Sequence, residues 1–197
     1  MKKTKIRIAI PSLILAAALV LSGDTLPLFA VFSAAALHEL GHIISARLLG
    51  VRFSEFSLSL LGARLNTETK LISYKAEIIL AAAGPAVNIL SFLMFFPGFT
   101  TVGGTVGEFF SYFTAASAAL GFLNLLPVTS FDGGRILHSL ISFIKGPETA
   151  SKALKILSFF SLFLLWGASV YLLIKAGTSL SLFVFSLTLF ARLFIAE

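Results

Sequence analysis

Leu26-Pro27-Leu28-Phe29-Ala30-Val31-Phe32-Ser33-Ala34-Ala35-Ala36-Leu37-His38-Glu39-Leu40-Gly41-His42-Ile43-Ile44-Ser45-Ala46-Arg47-Leu48-Leu49 is apolar almost throughout, yet carries two histidines and a glutamate within five positions. About 20 apolar residues in a helix cross a hydrocarbon core of about 30 Å, so the stretch predicts a membrane-spanning helix. Residues four apart on a helix differ by about 40° in heading, so His38 and His42 face one way and can share one cation. Glu39 lies about 100° from His38 and about 60° from His42, on the adjoining edge, where it can reach a water held by that cation. Zinc suits such a site, because it lowers the pKa of its water towards about 7. Glu39 can then take the proton as hydroxide attacks a carbonyl, and pass it to a leaving amine. The rival reading, in which these polar groups only pair with one another, fits less well, because ionisable groups inside a bilayer are costly and usually functional.

The rest of the 197 residues agrees with a bilayer. The chain is 57% apolar and 12% charged, with 21 Phe, and its mean hydropathy is +0.99. Soluble domains run at about 25% charged residues, and a water-soluble globule of this size could not hide so much apolar side chain. Disorder, a disulfide scaffold and an ordinary soluble enzyme are excluded. Cysteine is absent, which removes thiolate catalysis and Cys-ligated metal. The net charge of +6 sets membrane topology here and does not point to nucleic acid, because the bases lie between apolar runs.

Working outward, the sequence predicts six transmembrane helices in a membrane all-α fold, with a membrane-associated β-hairpin between spans two and three. The first span is Ile8–Leu21, after the basic start Met1-Lys2-Lys3-Thr4-Lys5-Ile6-Arg7; it resembles a signal peptide but is read as an uncleaved span. The second is the quoted run. Val51–Leu60 alternates apolar and polar over several positions, Gly62 can serve a turn, and Ala63–Thr67 alternates again, the pattern of a hairpin. Further spans follow at about Ala76–Phe96, Glu108–Leu126, Leu154–Ile174 and Leu180–Ile195, with a Gly/Thr-rich loop over Pro97–Gly107 and a short amphipathic helix ending near Ile144. The chain reads as one domain, with a core at about 26–145 and a C-terminal helical pair at about 153–195. Placing both termini in the cytoplasm puts 14 of the 15 Lys and Arg on that side or its adjoining half, Lys175 being the exception.

Catalytic zinc takes three protein ligands and keeps a position open. Of the two aspartates, Asp24 falls at the outer end of its spans, whereas Asp132 lies at the inner end of span four, at the depth of the two histidines. His138 is the competitor, six residues on, read more readily as an interfacial histidine. Asp132 could instead cap the short helix, since Asp132-Gly133-Gly134-Arg135 suits a cap. Depth and elimination favour ligation. Asn88 and Asn124 are amides in apolar spans near helix ends, and two roles stand open for them: holding an extended substrate or its developing oxyanion, or bonding backbone freed around Pro85 and Pro127. Phe92, Phe95, Phe96, Phe159, Phe160 and Phe163 read as lipid-facing or packing residues.

His38-Glu39-Leu40-Gly41-His42, Gly84-Pro85-Ala86-Val87-Asn88 and Asn124-Leu125-Leu126-Pro127 followed by Asp132-Gly133 occur in an order that resembles the site-2 protease family of intramembrane zinc metalloproteases. The likeness covers about residues 26–145, and the basic start, six spans and Asp-Gly-Gly-Arg resemble most the branch of stage IV sporulation protein FB, without its CBS domain and without a PDZ domain. The resemblance implies one Zn2+ per chain on His38, His42 and Asp132, with Glu39 as general base. It also implies a membrane-embedded hairpin, matching 53–66, whose edge takes substrate as an added strand, which brings in Phe56, Ser57 and Leu58. The implied activity is hydrolysis of a peptide bond in or near the membrane segment of a membrane-tethered protein, such as a transcription-factor or sigma-factor precursor. The implied setting is a bacterial cell membrane, with the active site nearer the cytoplasmic side and a membrane inhibitor or regulator as a further partner class. A membrane metal transporter and an inactive client-binding homologue are the alternatives. Transit needs no general base, and an intact motif argues against inactivity.

Overall fold

A computed structural model describes residues 5–8, 25–51, 53–59, 62–67, 72–176, 183–184 and 186–190. The elements in order are β1 (Lys5–Ile8), α1 (Thr25–Leu48), β2 (Phe53–Ser59), β3 (Gly62–Thr67), α2 (Tyr74–Thr101), α3 (Gly104–Asn124), α4 (Asp132–Lys145) and α5 (Pro147–Ala176). Residues 186–190 are also helical. The chain divides into two compact units, Met1–Leu123 and Asn124–Glu197.

Among the described residues, α1, α2, α3 and α5 are long and apolar enough to cross a membrane. Four spans are therefore supported, not the six expected. The expected first span lies outside the described residues except for Ile8, which ends β1, and the expected last span is described only over 183–184 and 186–190. Many large apolar side chains face outward, Leu48 at 83% and Met94 at 74% among them, as lipid contact requires of a multi-pass protein.

In the first unit, Ala30 and Ala34 of α1 pack with Phe113 of α3, and Leu37, Phe95, Phe109, Ala116 and Leu120 close over them. Small residues let the backbones approach: a Cβ on Gly41 would lie 2.7 Å from the Ala83 carbonyl oxygen and 3.0 Å from Val87. Close helix approach at small residues drives packing where lipid and side chains are equally apolar. The phenylalanines split between the two expected environments. Phe95 stacks on Phe110 with ring centroids 5.4 Å apart, whereas Phe96, Phe160 and Phe163 are exposed.

Helix α2 runs on to Thr101 through Pro97, where the sequence predicts a loop, and Thr101 Oγ1 donates to the Pro97 carbonyl at 3.1 Å. Membrane helices tolerate proline because nearby hydroxyls and local adjustments satisfy freed backbone groups. Helix α3 likewise starts earlier than expected, at Gly104, whose φ of +67° turns the chain out of α2.

The sheet has strand order β1-β2-β3, with β2–β3 antiparallel and β1–β2 parallel. The register slips between Phe53 and Glu55, leaving Ser54 as the extra residue of a bulge. β1 is the element that the sequence does not foretell, because Lys5, Ile6 and Arg7 read as part of a basic lead-in and Ile8 as the start of a span. Its consequence falls on Phe56, Ser57 and Leu58, which pair with Ile6, Arg7 and Ile8 on one side and with Leu65, Arg64 and Ala63 on the other. β2 is thus the middle strand, with its backbone taken on both sides.

In the second unit, α4 is amphipathic, and only Gly146, with φ +86°, separates it from α5. Pro147 opens α5, where its missing N–H costs nothing. The sequence suggests a loop over Lys145–Glu148, but a single residue suffices.

Replacing Gly41 with Val should destabilise the α1–α2 contact by about 1–3 kcal/mol, the usual cost of overpacking. Thermal unfolding in detergent should show a clear drop for this variant. Gly103→Ala, which meets nothing within 4 Å, should leave the midpoint unchanged.

Candidate metal centre

Two of the expected metal ligands, His38 and His42, lie within the first unit. His38 and His42, 6% and 5% exposed, stand one turn apart on α1, with their Nε2 atoms 3.2 Å apart and their rings nearly perpendicular at 80°. His42 Nδ1 lies 2.8 Å from the carbonyl oxygen of Leu80 on α2. A carbonyl only accepts, so Nδ1 carries the proton and the lone pair of His42 sits on Nε2, turned towards His38. This backbone anchor is the kind that orients metal-ligating histidines.

Helix α2 leaves room for the rings at Gly84. A Cβ there would come within 3.0 Å of the Nε2 atoms of both His38 and His42, so no larger residue fits while the imidazoles converge. Pro85 follows and is fully buried. The pair passes a simple fit test for zinc. Two nitrogens, each about 2.0–2.1 Å from one tetrahedral zinc, must lie about 3.3 Å apart, close to the observed 3.2 Å. Glu39 neighbours this pair and is only partly buried.

Asp132 belongs to the second unit. It is the first residue of α4 and 7% exposed. The cap position belongs to Phe131, which makes no side-chain cap hydrogen bond. The capping role considered for Asp132 therefore gives way to a carboxylate in the first helical turn, where negative charge is favourable. Arg135 Nη1 reaches Asp132 Oδ1 at 3.3 Å, with Arg135 partly exposed. His138 is engaged elsewhere: its Nε2 lies 3.2 Å from Ser151 Oγ and its Nδ1 3.5 Å from Ser142 Oγ.

The two asparagines occupy different settings. Asn88 is fully buried on α2, and among the described residues neither its Oδ1 nor its Nδ2 has a hydrogen-bond partner. It faces α3, where a Cβ on Gly121 would lie 3.5 Å from Asn88 Cβ. The structural role considered for it, bonding backbone freed around Pro85, is not seen. Asn124 ends α3 and is half-buried. The sequence places Gly84 in a motif without giving it a role at the metal, and the signal that could have raised it is its place one residue before Pro85 and four ahead of Asn88.

The sequence model of peptidase family M50 matches residues 27–107 and 98–168. The chain belongs to peptidase family M50. It is 30% identical over 123 residues to a Synechocystis sp. protein named as a zinc metalloprotease. That alignment covers 59% of the chain, which spans about a third of that relative's length (31%). The fold is similar to that of a site-2 protease from Methanocaldococcus jannaschii, with a TM-score of 0.66 at 20% identity over 99% of this chain and 92% of that one. The family match contains His38, Glu39, His42, Gly84, Asn88, Asn124 and Asp132, so every residue singled out for chemistry lies in the part shared with M50.

Gly84→Ala should cut bound zinc well below one per chain while the helices remain folded, read by metal analysis beside circular dichroism. His138→Ala should keep the wild-type zinc content, because both ring nitrogens are already engaged by serine hydroxyls.

Proposed function

We propose that this chain is an intramembrane zinc endopeptidase that cleaves a peptide bond in or near the membrane segment of a membrane-tethered protein. The observation that carries the reading is the convergence of two buried imidazoles, one with its tautomer fixed by the Leu80 carbonyl, against a glycine that leaves them space. Membership of M50 supports zinc as the ion and peptide hydrolysis as the chemistry.

His38 and His42 would hold one Zn2+ through Nε2, and Asp132 would supply the third, anionic ligand. With no cysteine in the chain and His138 engaged by serines, a buried aspartate is the donor best suited to complete the set. Zinc bound there would acidify a water and polarise the scissile carbonyl. The proton traffic belongs to Glu39, which takes a proton from the attacking water and returns it to the amide nitrogen as the C–N bond breaks. Asn88, buried and without a hydrogen-bond partner among the described residues, is suited to hold a substrate backbone or the developing oxyanion, and Asn124 is assigned the same role.

A helical substrate conceals its carbonyls in i to i−4 bonds and must unwind before attack. An added strand would replace those bonds. Because β2 is paired on both sides, Phe56, Ser57 and Leu58 would support such a strand from the middle of the sheet, and it would add at an outer edge, that of β1 or β3. The resemblance to the sporulation branch favours a transcription-factor or sigma-factor precursor as client, with a membrane inhibitor or regulator as a further partner. Charge asymmetry favours cytoplasmic termini in a bacterial cell membrane, with the site nearer the cytoplasmic face.

Glu39→Gln tests the assignment directly. Reconstituted with a single-span substrate, the variant should keep about one zinc per chain yet cleave on the order of 10²–10⁴-fold more slowly, the usual contribution of a general base. Equal cleavage by wild type and variant would remove Glu39 from the reaction. Removal of zinc by a chelator should abolish cleavage in the wild type, and restored zinc should recover it.

A further inference from the structure

The chain breaks between α3 and α4, and the break ends on Asp132. Val128 N–H donates to the Leu126 carbonyl at 2.7 Å, and Phe131 N–H donates to that of Val128 at 2.9 Å, folding the segment into consecutive tight turns. Gly133 and Gly134 let those turns close. A Cβ on either would run into backbone, the Leu125 and Leu126 carbonyls for Gly133 and the Val128 carbonyl for Gly134. Two polar backbone groups of this fold-back, the N–H of Thr129 and the carbonyl of Pro127, take a side-chain partner. Both are met by one side chain thirty residues away. Ser158 Oγ on α5 accepts from Thr129 N–H at 3.0 Å and donates to the Pro127 carbonyl at 3.3 Å.

Ser158 is fully buried, and its bonding differs from that of several other helical hydroxyls among the described residues. Ser33, Thr101 and Ser151 donate to the carbonyl four residues back in their own helices, and Ser169 to the carbonyl three back. That local bond is the usual resort of a hydroxyl in an apolar helix. Ser158 instead spends both its donor and an acceptor site on another segment, so its hydroxyl carries information about where that segment sits.

We propose that Ser158 is a positioning residue for Asp132: by clamping the Pro127–Thr129 turn from α5, it sets the carboxylate three residues downstream where a cation can use it. This rests on the reading of Asp132 as a zinc ligand, and it gives the C-terminal region a role in the metal site. Groups that orient metal ligands typically change metal affinity by about 10–100-fold when lost. One hydroxyl acting through a short turn belongs at the lower end of that range.

The test uses the full chain in lipid nanodiscs, with zinc affinity read by competition against a chromophoric chelator. Ser158→Ala is compared with wild type, Asp132→Ala and Ser169→Ala, which removes another fully buried serine from the same helix. Ser158→Ala should bind zinc about tenfold more weakly, Asp132→Ala more weakly still, and Ser169→Ala as wild type. In the metal-free protein, hydrogen exchange should show the Thr129 amide protected in wild type and exposed in Ser158→Ala. Wild-type affinity in Ser158→Ala alongside a weakened Asp132→Ala overturns the Ser158 role alone. Wild-type affinity in Asp132→Ala overturns the ligand reading and this proposal with it. Equal losses in Ser169→Ala and Ser158→Ala would mean general loosening of α5, and the proposal would fall. If Ser158→Ala does not fold, wild-type exchange decides: a Thr129 amide as fast as an exposed turn refutes the clamp, and a protected one sustains it.

Discussion

Two imidazoles forced together inside a hydrocarbon environment set the terms for the first unit. The Nε2 atoms of His38 and His42 stand 3.2 Å apart, within hydrogen-bond distance, and the surrounding structure keeps the rings in that arrangement. It does so from α2, which gives a carbonyl at Leu80 to fix one ring and withholds a side chain at Gly84 to make space for both. Since Leu80 and Gly84 are one helical turn apart, anchor and gap come from one face of one helix. That face has to stay in register with the one bearing His38, Gly41 and His42. The Gly41–Ala83 approach keeps it so, and the alanine and phenylalanine packing of α1 with α3 secures α1 from another direction.

Much of this was legible in the sequence because its signals are local. The spacing of His38, Glu39 and His42 depends only on helical periodicity, and a long apolar run means a span whatever it packs against. Signals became ambiguous where the answer lay across the chain. Asp132 admitted capping as a second reading beside ligation because Asp-Gly-Gly is a cap-like string, but the cap position is set by backbone angles, and these select Phe131. Pro97 looked like a stop because proline breaks helices in water, whereas α2 passes through it. β1 was hidden for a different reason. Four residues beside a basic terminus carry no periodicity of their own, and only pairing with β2 makes them a strand. The use of Gly84 was equally out of reach, since what a missing Cβ accommodates is a property of the neighbour.

The second unit shows how an aspartate can be kept poised in an apolar chain. Its turn is stabilised by glycines that admit backbone against backbone, by Val128 and Phe131 buried within it, and by a serine from α5. Each device satisfies or shields a group that lipid would leave exposed, since water is not at hand to do so. The Arg135 contact adds a charge partner beside Asp132, and its partial exposure makes that contact worth little on its own.

Helix α5 is fastened to the acid-bearing segment twice, through the single-residue joint at Gly146 and through the hydroxyl at position 158. Between Pro147 and Ser158 lies a helical strut of roughly 16 Å. The two fastenings bracket Asp132 in sequence, so a displacement of that strut would reach the carboxylate's support at both ends. Lipids or proteins touching only the outer surface of the strut would then act on the acid without touching the carboxylate itself.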